Sequence, residues 1–272
     1  MNDILNNPAV QAGVAPFVAA LIVALVLGRV RLGGLAVLAG FLAAVYLVSG
    51  ISFTPLTATR KIILLVVASP VIGLLMDFAF KPTRLGNAIL ALASGAAALW
   101  VFWPVLNQKE MAQAALLGAD AALLAAWLVG FSLIAVADRP LQAGAAGLGL
   151  GIAAGGSALL GASAVYGSYG IALAATSGAF LLPQMVSGRT IAGGATFILP
   201  ISLGSALLAV GAVILAQLPW YVPPLLGLIP VVARLPAPQK PWAQAVAASA
   251  YTLIVAAIAL ALAWQATRGT SG

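Results

Sequence analysis

The chain predicts an all-α polytopic membrane protein, a single transmembrane domain over 1–272 with about ten helices and short loops. Three observations predict it. Of the 272 residues, 63% are hydrophobic and only 6% are charged, against about 25% charged in an ordinary soluble domain. A soluble fold so poor in charge would expose large apolar patches and aggregate. Stretches such as 19–27 and 245–264 are apolar on every face, which suits helices in lipid and not the alternating strands of a barrel. The apolar runs also recur near the ~20 residues a helix needs to cross the hydrocarbon core.

On that ruler the spans fall near 14–30, 32–50, 61–80, 86–105, 113–136, 141–164, 167–187, 192–217, 219–234 and 243–265. The longest connections, 50–60, 105–112 and 234–242, are too small for a soluble domain. The ninth span is short and contains Pro223, Pro224 and Pro230. Each proline removes a backbone donor and strains the preceding turn, so this segment reads as a kinked span, a re-entrant hairpin or no crossing, and the total as nine or ten. Residues 1–16 carry Asp3 and no basic residue, so the first apolar run reads as a retained span and not a cleaved leader.

An echo at a spacing of 107 residues relates 13–106 to 113–218 as parallel four-span units, followed by a helix pair over 219–265. Ser69-Pro70 falls opposite Thr176-Ser177, and Asp77 opposite Gln184. Duplication of this kind is common in transporters, although low-complexity apolar sequence also produces such echoes.

The 12 Lys+Arg against 5 Asp+Glu give a net charge of +7. The basic residues sit singly or in pairs between apolar runs, as loops obeying the positive-inside rule do. With ten spans, Arg29, Arg31, Lys81, Arg84, Arg139, Arg189, Arg234 and Lys240 gather on one side, and Arg60, Lys61, Lys109 and Arg268 on the other. The first side is therefore expected to be cytoplasmic, in a bacterial cytoplasmic membrane, with both termini outside. Membrane lipids are the expected surroundings. A nucleic-acid partner is not expected.

There is no Cys and no His. That removes disulfides, thiolate nucleophiles, Cys/His zinc sites, iron–sulfur ligation, His-ligated haem and a His general base. No metal, cofactor or catalytic residue is expected, and the chain does not read as an enzyme.

A few polar residues inside apolar runs are candidates for a solute or ion pathway. Asp120 lies several residues inside the fifth run, and an ionised carboxylate in hydrocarbon is costly enough to need a cavity or a partner; the plainer reading makes it an interfacial cap. Asp77 precedes Lys81 by four residues, a spacing that favours an interfacial ion pair. Under the repeat, Gln184 would be its neutral counterpart in a polar pocket between the halves. Ser69 beside Pro70 marks a place where proline frees a backbone carbonyl, as do Pro183 and Pro200. Tyr46 sits deep enough in the second run to line a cavity or to bond a neighbouring span.

Gly147, Gly151 and Gly155 form a small-residue ridge that lets two helix backbones approach closely, the partner being another span or another subunit. Tyr166 and Tyr169 are read as flanking a tight turn at Gly167-Ser168. Trp100, Trp103, Trp220, Tyr221, Trp242 and Trp264 cluster at span ends as interfacial anchors.

These features suggest a small secondary transporter or permease moving a small solute or lipid-like substrate. The alternative is a non-catalytic scaffold subunit of a larger membrane complex, with the glycine ridge as its intersubunit face.

Overall fold

A computed structural model describes residues 7–52, 54–80, 83–161, 163–216 and 218–269, and all its regular elements are helical. Among these residues eight helices are long and apolar enough to cross a membrane: α1 (Val10–Val30), α3 (Ala58–Ala79), α4 (Arg84–Leu106), α5 (Met111–Val136), α6 (Pro140–Leu160), α7 (Ala164–Ser187), α8 (Gly194–Leu215) and α10 (Pro241–Arg268). Two apolar helices are shorter, α2 (Gly33–Val48) and α9 (Pro223–Val232). The chain is a membrane-embedded helical bundle.

Successive helices α1 to α8 alternate in direction, as side-chain register shows. Gly40 of α2 lies against Ala20 of α1 and Thr176 of α7, Gly95 of α4 against Ala122 of α5, and Gly204 of α8 against Leu173 of α7 and Val66 of α3. The bundle therefore has an upper rim, where α3, α5 and α7 begin, and a lower rim, where α4, α6 and α8 begin. Helix α10 runs parallel to α6: Thr252 Oγ1 donates to the Ala145 carbonyl at 3.0 Å, and Leu260 packs on Gly156. Because α8 ends at the upper rim and α10 starts at the lower one, the chain from 218 to 240 travels the height of the bundle.

That segment is not one helix. Its two single turns, Pro223–Leu226 and Ile229–Val232, are joined at Gly227, which faces the Trp127 ring, while Ile229 is fully buried against Gly149 of α6. Three prolines in eight residues prevent a continuous helical ladder, and packing against α5, α6 and α10 holds the broken backbone inside the protein, where irregular structure is tolerated at membrane depth.

Helices α6, α7 and α8 are mostly buried and form the centre, whereas no more than a third of the membrane-length stretch of α1, α3, α4 and α10 is buried, and they surround it. The outward faces carry large apolar side chains such as Leu85, Leu92, Leu116, Leu123 and Ile134, as lipid contact requires.

The glycine ridge accounts for the tight centre. A Cβ on Gly155 would stand 2.8 Å from the Ile171 nitrogen and 2.9 Å from the Gly167 carbonyl, and Gly151 meets Ala174 and Gly170 equally closely. The ridge thus packs against α7 of the same chain.

One sequence expectation is corrected here. Tyr166, Gly167, Ser168 and Tyr169 lie within α7, whose first turn begins at Ala164 with Ser163 as its cap, so the tight turn falls earlier in the chain. The helix pairing of the first four spans differs from that of the next four: α1 packs along α2, whereas α5 and α6 make little contact.

Candidate functional site

Polar residues concentrate in two cavities at opposite rims, and α3 and α8 contribute walls to both. The upper cavity, about 710 Å³, is lined by Ser49 and Ser52 after α2, Thr57, Thr59, Arg60 and Ile63 at the start of α3, Ser163 and Tyr166 at the start of α7, and Leu215 at the end of α8. The lower cavity, about 700 Å³, is lined by Arg31 after α1, Asp77 and Phe78 at the end of α3, Thr83 before α4, Arg84 and Asn87 in its first turn, Asp138 after α5, and Ala192, Gly193 and Gly194 at the entry to α8.

Between the cavities α3 and α8 form a close seam. Gly73 lies against the Thr196 backbone, and Gly204 against Val66. That register brings Pro70 and Pro200 to the same height, one on each helix, and both are buried. From Ile63 to Asp77 the seam spans roughly 21 Å at 1.5 Å per residue. Ser69 is buried on the seam, and its hydroxyl donates to the Val66 carbonyl at 3.0 Å. Val66 sits four residues before Pro70 and so lacks the usual helical donor. The freed carbonyl is thereby satisfied within its own helix.

Asp77 closes the lower end of the seam. Its carboxylate accepts from the Ala195 and Thr196 backbone N–H groups, at 2.9 Å each, and from the Thr196 hydroxyl at 2.7 Å. These are the otherwise orphaned donors of the first turn of α8, where negative charge also favours the helix dipole. Gly194 supplies the positive φ of +57° just before this turn, and a Cβ there would collide with the carboxylate. Lys81, the expected ion-pair partner of Asp77, lies outside the described residues.

Gln184 works on the same connection from the other side. It is 1% exposed, its Nε2 donates to the Phe180 carbonyl at 3.0 Å, and its Oε1 accepts from the Ile191 N–H at 3.1 Å. Stacking of Phe180 on Phe197, with ring centroids 4.0 Å apart, completes the clamp on residues 188–194.

The remaining candidates lie apart from these cavities. Asp120 is in the third turn of α5, exposed, at the edge of an apolar pocket of about 370 Å³ with Trp127, Trp220, Pro223 and Pro224. Asp77 and Asp120 therefore belong to opposite rims. Tyr46 is 66% exposed and points away from the bundle interior.

The inward tyrosine on that side is Tyr169, which lies 5.6 Å from Phe41 and donates to the Ser49 hydroxyl at 2.7 Å. Lys61, counted as a loop charge, is 8% exposed, donating to the Trp100 carbonyl at 2.9 Å with its ammonium 4.7 Å from that ring.

Sequence reasoning misses the upper cavity. Its hydroxyls come from two separated segments, 49–60 and 163–166, which only the fold joins, with Leu215 at the end of α8 completing the wall. The local signal lies in Thr57 and Ser163, each an N-cap three residues ahead of the N–H it accepts.

No protein-family model matches the chain, and no curated protein is significantly similar to it.

Proposed function

We propose that the protein is a small carrier that moves a polar solute between the two rims by opening and closing the α3–α8 seam. One observation carries this reading: two polar cavities open at opposite rims of an otherwise apolar bundle, share α3 and α8 as walls, and are separated by a seam with a proline at equal height on each helix. A proline leaves its helix one hydrogen bond short and lets it bend there. Bending at Pro70 and Pro200 would spread the seam at either end while the other end stays closed, which is the geometry alternating access needs.

In this reading the chain crosses the membrane ten times, the broken α9 segment being the ninth crossing. The lower rim, with Arg31, Arg84, Arg139, Arg189, Arg234 and Lys240, faces the cytoplasm of a bacterial cell. The glycine ridge packs within the chain, so a scaffold subunit would have to meet its partners through another face.

The absence of native cysteine suits a direct test. A Ser69→Cys variant in sealed vesicles places one thiol in the seam. Small membrane-impermeant thiol reagents should label it slowly from both faces, and Pro200→Ala should slow that labelling about tenfold. A thiol protected from both faces under every condition would mean that the seam does not open.

A further inference from the structure

We infer that the apolar pocket beside Asp120 binds a lipophilic monocation, a single positive charge carried on an apolar body. No residue of the α3–α8 seam lines this pocket, so the inference stands apart from the carrier reading.

The depth of Asp120 calls for a counter-charge. Glu110 is the N-cap residue of α5, so Asp120, in the third turn, caps nothing. The 26 residues of α5 make a helix about 39 Å long. Centred on hydrocarbon about 30 Å thick, it overshoots by about 5 Å at each end. Asp120 stands about 13 Å along the axis from Met111, and so about 8 Å inside the upper boundary. Charged residues at such depth pair with one another or face a wet cavity. Among the described residues Asp120 has neither a hydrogen-bond nor an ion-pair partner.

The pocket walls offer it none. Asp120 is the only charged residue lining the pocket, and the rest of the lining is aliphatic, proline or tryptophan. Leu124 and Trp127 follow it at four and seven residues, so the three share one face of α5. Pro223 and Pro224 contribute the wall from the α9 segment, and neither has an N–H to donate. The negative charge is thus left for the occupant to balance.

The aromatic rings favour the same ligand. Trp127 is held edge-on against Phe131, with ring centroids 5.8 Å apart, and Gly227 packs on its ring without a side chain between them. Trp220 lines the pocket while 74% exposed. Tryptophan is the ring that attracts a cation best, and the apolar remainder of the wall suits an apolar body. The volume, about 370 Å³, lies in the range of small-molecule sites. Leu123 in the same wall is 67% exposed on the outward face of α5. The pocket therefore opens toward lipid and admits ligands that partition there.

Tetraphenylphosphonium and tetraphenylborate match in size and shape and differ in the sign of their charge, which makes them the deciding pair. The full-length protein in uncharged detergent is dialysed to equilibrium against each labelled ion, with binding to empty micelles subtracted. Saturable binding of tetraphenylphosphonium is expected and none of tetraphenylborate, although the net charge of +7 would by itself favour the anion. Asp120→Asn should weaken binding about tenfold or more, and Asp120→Glu should retain most of it. Glu110→Gln removes a carboxylate of the same helix outside the pocket and should leave binding unchanged. Trp127→Leu should weaken it about 2- to 5-fold, and it keeps the test open if Asp120→Asn does not fold.

No saturable binding of tetraphenylphosphonium would overturn the inference, as would binding unchanged by Asp120→Asn. Equal binding of both ions would also overturn it and mark the pocket as a groove for acyl chains. A loss on Glu110→Gln as large as on Asp120→Asn would trace the binding to surface charge and overturn it too.

Discussion

Replacing Asp77 by Ala removes the acceptor for three donors at the start of α8 and leaves two backbone N–H groups without a partner. Loss of a helix cap costs about 0.5–2 kcal/mol, and bonds to a charged acceptor lie toward or above the top of that range. We expect Asp77→Ala to destabilise the detergent-solubilised protein by about 2 kcal/mol or more, read as a lower apparent Tm, with Asp77→Asn in between. A smaller loss for Asp77→Ala than for an exposed control such as Gln108→Ala would contradict the capping role.

The pairing also shows what a local reading misses. Four-residue spacing brings Lys81 to mind because the helix rule looks one turn ahead, whereas the partners of Asp77 lie 118 and 119 residues away. Gln184 and Ser69 stand out as polar residues in apolar runs, and both are occupied by backbone groups of the protein itself. Tyr46 and Tyr169 are alike in sequence context, and only packing separates the exposed ring from the buried one.

At the scale of elements, the apolar ruler places the long helices to within a few residues, since hydrocarbon thickness and helical rise set their length regardless of neighbours. It falters where backbone chemistry decides. The start of α7 is set by the Ser163 cap, and the α9 segment is broken by its prolines. The close packing of α6 is legible as a four-residue glycine spacing, but the identity of its partner is not, because the contacting surface of α7, Gly167, Gly170 and Ala174, is visible only once the two helices are antiparallel.

A paired substitution tests this contact. Gly151→Ala would push a methyl into the Ala174 backbone, which cannot rotate away, whereas Gly178→Ala on α7 finds only Phe17 at 3.9 Å. Overpacking costs about 1–3 kcal/mol and more where backbone must move. Gly151→Ala should therefore lower the apparent Tm by roughly 5 °C or more, and Gly178→Ala should leave it unchanged or raise it slightly. Equal tolerance of both would mean that α6 and α7 are not packed in this register.

For the whole molecule, composition alone is enough to require lipid, and alternation of short-looped spans is enough to sort basic residues to two sides. The two cavities are beyond its reach, because each is assembled from loops far apart in the chain. What links them is the path of α3, which runs from Arg60 at the upper rim to Asp77 at the lower one.

Sidedness of single cysteines measures that path directly. Ser52→Cys should react with an impermeant thiol reagent only from outside, and Asn87→Cys and Gln239→Cys only from the cytoplasmic face. Reaction of Ser52→Cys and Asn87→Cys from the same face would place both cavities on one side of the membrane and leave the carrier without a route across.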